Sequence, residues 1–151
     1  MSTSVSLIPI DRDGGSSAHR GVLPENTAEI LRATVKLYES VGFEKPWVGY
    51  LAVADSIVVG TCCFKSPPRE GRVEIAYFTL PDHEGRGVAT AMAAELVAIA
   101  RRGEPTVFVA AQTLPARNPS HRILEKLGFV HTATIDHPED GMVWEWRLRR
   151  E

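Results

Sequence analysis

A β-rich run, RVEIAYFTL at 72–80, passes through PDHEGRG into the alanine-rich stretch VATAMAAELVAIARR at 88–102. Few features constrain a chain more: a strand must end, the backbone must reverse and a helix must begin, all within residues 81–87. Gly85 and Gly87 supply the backbone freedom for this. Two readings follow. The glycines can serve a tight turn and close helix-to-sheet packing, or they can bring an anion, such as a diphosphate, onto the free N–H groups and the dipole at the helix start. Two familiar phosphate loops do not fit. A Walker-type loop needs Gly-Lys-Ser/Thr, which is absent, and a dinucleotide fingerprint fails at its third glycine, where Thr90 stands.

The flanking stretches extend the pattern. A short strand is expected at Ser4 to Ile10, then a Gly- and Ser-rich loop to about Leu23, then a helix from Glu25 to Val41 with Gly42 as its stop. Trp47 to Ala54 and Ile57 to Phe64 are β-rich runs separated by Asp55-Ser56, a hairpin signature. After the central helix, Thr106 to Ala111 (TVFVAA) reads as a strand buried on both faces. Asn118-Pro119 is a helix start and Gly128 its stop; Phe129 to Ile135 and Met142 to Arg149 close the chain as a hairpin around DHPEDG. The order predicts an α+β fold with a central sheet of mixed direction. At 151 residues the chain is expected to form a single domain, 1–151.

Composition limits the partners. A net charge of −2 gives no electrostatic reason to expect nucleic acid, which is gripped by clustered Lys and Arg. The first residues lack a basic segment followed by a long apolar one, and no run reaches the ~18 apolar residues of a membrane span, so a cytoplasmic protein without membrane attachment is expected. Cys62 and Cys63, adjacent in an apolar run, read as inert buried thiols. His137 with Asp136, Glu139 and Asp140 reads as a charged hairpin turn, and no metal is expected.

GRVEIAYFTLPDHEGRGVATAM resembles motif A of the GNAT superfamily of acyl-CoA-dependent N-acetyltransferases, whose loop reads Gln/Arg-x-x-Gly-x-Gly/Ala. Gly87 and Ala89 match, whereas Glu84 puts an acid at the first position. Downstream, NPSHRILEKLGF resembles the Asn-led helix ending in Gly-Phe of the branch typified by ribosomal-protein N-terminal acetyltransferases, on Asn118, Ser120, Leu124, Glu125, Lys126, Gly128 and Phe129. The resemblance implies the GNAT fold, a mostly antiparallel, twisted sheet of about seven strands flanked by helices, with acetyl-CoA as co-substrate. It further implies that the main chain of Glu84, Gly85, Arg86, Gly87, Val88, Ala89 and Thr90 holds the diphosphate, that Asn118 and Ser120 stand by the cofactor, and that a homodimer is common. A strand splayed near Phe78 and Thr79 would present a backbone N–H to the acetyl carbonyl.

Acetyl transfer to an amine needs a deprotonated amine, a donor for the oxyanion and a proton for the leaving thiolate. Many relatives supply that proton from a Tyr where this chain has Leu124; Ser120 is the candidate replacement, with a first-turn helix residue as its alternative reading. Glu74 is the candidate base, with an exposed strand carboxylate as the alternative, and it lies about 13 Å from Phe78 along an ideal strand. A lysine side chain holds its proton at pH 7 by about 4.6 kcal/mol, an α-amino group by only about 1.4 kcal/mol. A weakly equipped base therefore suits an α-amine, on a small molecule or a peptide terminus. The rival expectation is a non-catalytic acyl-CoA-binding module, consistent with Glu84 and Leu124.

Overall fold

The computed structural model describes residues 4–15, 27–115, 119–139 and 141–148. Among them, strands β1 (Ser6–Pro9), β2 (Gly49–Ala54), β3 (Ile57–Phe64), β4 (Arg72–Thr79), β5 (Phe108–Thr113), β6 (Phe129–His137) and β7 (Gly141–Leu148) form one sheet. Helices α1 (Thr27–Val41), α2 (Val88–Gly103) and α3 (Pro119–Lys126) flank it. The strand order is β1-β2-β3-β4-β5-β7-β6, and every neighbouring pair is antiparallel except β4 with β5.

Local chemistry explains the turns. Asp55 and Ser56 both adopt positive φ, +50° and +66°, the two-residue hairpin turn whose twist matches that of the strands. Parallel strands need a crossover, and α2 provides it between β4 and β5. Its buried stripe, Val88, Met92 and Leu96 with Ala93 and Ala100, packs on a core that includes Phe64, Val73, Ile75 and Val109. The helix comes close because β3 carries Gly60 there: a Cβ at that position would stand 2.9 Å from Met92 Cε and 2.7 Å from the Phe78 carbonyl oxygen.

On the opposite face of the sheet, Gly49 admits α1 in the same way, where a Cβ would meet Thr34 Cγ2 at 2.9 Å. The Tyr38 hydroxyl fastens that helix by donating to the Ile10 carbonyl and accepting from the Gly49 N–H, both at 2.8 Å. Burial pushes this phenol up to about 12, so it stays protonated at neutral pH. Tyr38→Phe strands a buried carbonyl and a buried amide together. The expected loss is about 1–3 kcal/mol of stability, read as a lower urea midpoint with an unchanged slope; a midpoint within error of the parent would show the clamp to be dispensable.

α3 lies on the α2 face. Leu124 is buried, and the His121 ring stacks on Trp144 (centroids 5.0 Å apart) and tilts against Trp146 (5.3 Å). Trp144 and Trp146 share a strand face and pack, as their spacing suggests, with His131 against both. Several strand boundaries shift by one or two residues from expectation: β1 is shorter at both ends, β2 starts at Gly49 and β7 at Gly141. β5 runs from Phe108 to Thr113 because its later residues pair with β7, and β6 continues to His137 because pairing with β7 persists to Gly141.

Candidate active site

β4 and β5 share a ladder for only half of the β4 length. Their register runs from Arg72 opposite Phe108 to Ile75 opposite Ala111 and stops there. Ala76 to Thr79 remain paired to β3 on one side only, while the later residues of β5 pair with β7. A wedge-shaped gap therefore opens at the C-terminal ends of the two parallel strands, next to the first turns of α2 and α3.

A cavity of about 830 Å³ occupies that corner. Its floor is Tyr77, Phe78 and Thr79, one wall is the loop and first turn of α2 from His83 to Thr90 without Arg86, and the other is Pro119 to Ile123 of α3. Gly87 caps α2 with left-handed backbone (φ +81°, ψ +10°) and contributes no side chain. The Ala91 amide is the first to reach back into the helix, bonding the Gly87 carbonyl at 3.0 Å. The N–H groups of Val88, Ala89 and Thr90 precede it and have no acceptor within the helix, so they and the helix dipole favour an anion beside the cavity. Gly85 is also left-handed, at φ +76°, and a side chain there would meet open space, so it serves the turn.

The cavity thus gathers Phe78, Thr79, Glu84, Gly85, Gly87, Val88, Ala89, Thr90 and Ser120. Arg86 is exposed and outside its lining. Asn118 lies outside the described residues. Glu74 is not brought to the cavity: its carboxylate faces Lys65 Nζ at 3.2 Å and Arg72 Nη2 at 3.5 Å, toward the paired end of β4. Alternation puts it on the face opposite Val73, Ile75 and Tyr77, and that face is the one turned away from α2 and α3.

Tyr77 is a site residue that the sequence pattern hides, because it shares its strand face with the core residues Val73 and Ile75. Its hydroxyl is hydrogen-bonded to Ser120, the first-turn residue of α3. Burial pushes this phenol up to about 12, against a smaller downward effect of that bond. His121, next along α3, is buried, with Nε2 3.3 Å from the Leu114 carbonyl oxygen. Neither cysteine offers a thiolate: burial pushes Cys62 well up and Cys63 to about 11. Among the described residues, no group of three or more His, Cys, Asp and Glu side chains is arranged to hold a metal ion, and no helix is long and apolar enough to cross a membrane.

The site is thus a mixed sheet whose parallel pair splays beside a helix start that favours an anion. A family model described as "Acetyltransferase (GNAT) domain" matches residues 19–130, so the chain belongs to the GNAT acetyltransferase family. Solved structures agree in fold. A chimera of the Vibrio cholerae spermidine N-acetyltransferase SpeG and hSSAT superposes with a TM-score of 0.71 at 12% identity, over 98% of this chain and 96% of that one. RimL, a ribosomal-protein α-N-acetyltransferase, gives 0.66 at 15% identity over 99% and 92%. YncA from Salmonella typhimurium, determined with its cofactor acetyl-CoA, gives 0.65 at 18% identity over 98% and 95%. No curated protein matches by sequence.

Proposed function

We propose that the protein moves an acetyl group from acetyl-CoA directly to a primary α-amine, of a small molecule or a peptide terminus. The observation that carries this is the meeting, in one cavity, of the first-turn amides of α2 with the unpaired end of β4. The amides of Val88, Ala89 and Thr90 receive the diphosphate. The thioester is thereby aimed at the gap, where a backbone N–H at Phe78 or Thr79 stabilises the oxyanion. The amine nitrogen forms its bond to the carbonyl carbon, the C–S bond breaks, and the leaving thiolate takes a proton.

The Ser120 hydroxyl, coupled to the Tyr77 phenol, is the donor for that last step. The two act as one unit, since the phenol can return the proton the serine gives up. Glu74, ion-paired with Lys65 and Arg72, is assigned no contact with the reacting atoms, and water carries off the proton of the amine. That weak base is what favours an α-amine over a lysine side chain. YncA, which holds acetyl-CoA, and RimL, which acts on α-amines of ribosomal protein, are consistent with this assignment.

Thiol release from acetyl-CoA over an amine panel is the test. Release should require an amine and run faster on α- than on ε-amines at neutral pH, and Ser120→Ala or Tyr77→Phe should each lower kcat by on the order of 10- to 100-fold. Faster turnover of the ε-amine would reject the α-amine assignment. Glu84 in the cavity wall and Leu124 sealed in the core favour a second reading, a non-catalytic acyl-CoA-binding module. That reading predicts acetyl-CoA binding with no amine-dependent thiol release.

A further inference from the structure

The gap between β4 and β5 pierces the sheet, so it has two mouths. The cavity, with α2 and α3, occupies one, and a donor thioester held there leaves the acceptor to arrive from the other. What stands at that second mouth follows from the register. The last β4–β5 pair is Ile75 with Ala111, and both side chains belong to the core on the α2 face. Three residues further along the chain come Phe78, within β4, and Leu114, one residue past the end of β5. Within β4 an odd offset reverses the face, so Phe78 points away from α2 and α3, and Leu114 is the large apolar side chain at the lip formed by the end of β5. Phe78 is 52% exposed and Leu114 63%, two of the five large apolar side chains left exposed among the described residues.

Between them and the closed end of the wedge, the same face carries Ala76 and Gln112, neither of them charged. The same face carries two carboxylates, Glu74 opposite Ala110 and Glu145 opposite Gln112, already engaged by three cations, Lys65, Arg72 and Arg147. Among the described residues, neither of these carboxylates is left uncommitted for a polycation, whereas an apolar group would cover exposed Phe78 and Leu114.

Resting on the acetyl-transfer assignment above, we propose that Phe78 and Leu114 grip the substituent next to the accepting amine. The acceptor is then an α-amine flanked by a large apolar or aromatic side chain, and not a polyamine. The phenyl and isobutyl groups of such acceptors move out of water into the space between the two lips, while glycine has nothing to place there.

The amides of phenylalanine, leucine and glycine present the same α-amine beside the same carbonyl, so their comparison isolates the side chain. Initial rates of thiol release should give kcat/KM for phenylalaninamide and leucinamide at least about ten-fold above glycinamide, with spermidine slowest. Leu114→Ala and Phe78→Ala should each shrink the phenylalaninamide-to-glycinamide ratio at least about three-fold. A ratio taken within one variant cancels any loss of folded protein. Spermidine turning over fastest, or a ratio unmoved in both variants, overturns the proposal while leaving acetyl transfer standing. Acetyl-CoA binding with release by no amine at all would instead remove the transferase assignment, and the acceptor class with it.

Discussion

Gly87→Asp is expected to weaken acetyl-CoA binding by at least about 100-fold, equivalent to about 2.7 kcal/mol, while leaving the protein folded. Two properties of the position make this separation possible. Its backbone is left-handed at φ +81°, a conformation in which aspartate and asparagine are the best tolerated residues after glycine. It is also the N-cap of α2, where an aspartate side chain accepts a first-turn N–H and suits the helix dipole. The fold therefore accepts the substitution, but the carboxylate consumes an amide that the diphosphate needs and adds a like charge. At a separation of roughly 5 Å and an effective dielectric of about 20, one such repulsion is worth about 3 kcal/mol. Gly87→Asn supplies the same shape without the charge and should fall between parent and aspartate. Calorimetric titration with acetyl-CoA reads the affinities, and a melting curve confirms the fold. An aspartate variant that binds as tightly as the parent would show that the anion rests elsewhere.

That prediction uses a feature visible in one dimension, and the limits of such visibility have physical causes. Gly85 and Gly87 stand out in the sequence because positive φ and a bare helix start demand them locally. The Asp55-Ser56 turn and the α3 start at Pro119 are legible for the same reason: short-range sterics determine them. The splay of β4 from β5 is not local. It depends on which strand each residue pairs with after Ile75 and Ala111, and no periodicity within RVEIAYF or TVFVAA distinguishes a paired from an unpaired end. Tyr77 is hidden differently, since alternation assigns it to the core side and the core side happens to border the cavity at the strand end. Glu74 shows the converse. Alternation gives its face, opposite Val73 and Ile75, yet the direction of its carboxylate depends on Lys65 and Arg72, which engage it at the paired end of β4.

The partners least legible of all are Arg72 and Glu145, which are 73 positions apart. Arg72→Met is expected to cost about 2–3 kcal/mol at neutral pH, lowering Tm by roughly 5–10 °C. Glu145 is 3% exposed, and its carboxylate is served by Arg72 Nη2 and by Arg147 Nε at 3.0 Å. Burial alone would raise its pKa; the two guanidinium groups outweigh that and hold it below the usual carboxylate value. A group whose folded-state pKa is depressed contributes stability above its unfolded value, about 4, and loses that contribution as the pH falls through the folded value. Without Arg72 the depression shrinks, so parent and variant should differ most at neutral pH and converge in acid. Arg147, partly exposed, follows the carboxylate but cannot replace a donor that reaches across β5 from β4. In a Glu145→Gln background no buried charge depends on Arg72, and Arg72→Met should cost less than about 1 kcal/mol. Equal losses at pH 3 and pH 7, or a double variant whose losses simply add, would mean that the arginine acts through its aliphatic stem. The cluster would then be packing, and not the electrostatic tie that joins β4 to β7 across β5.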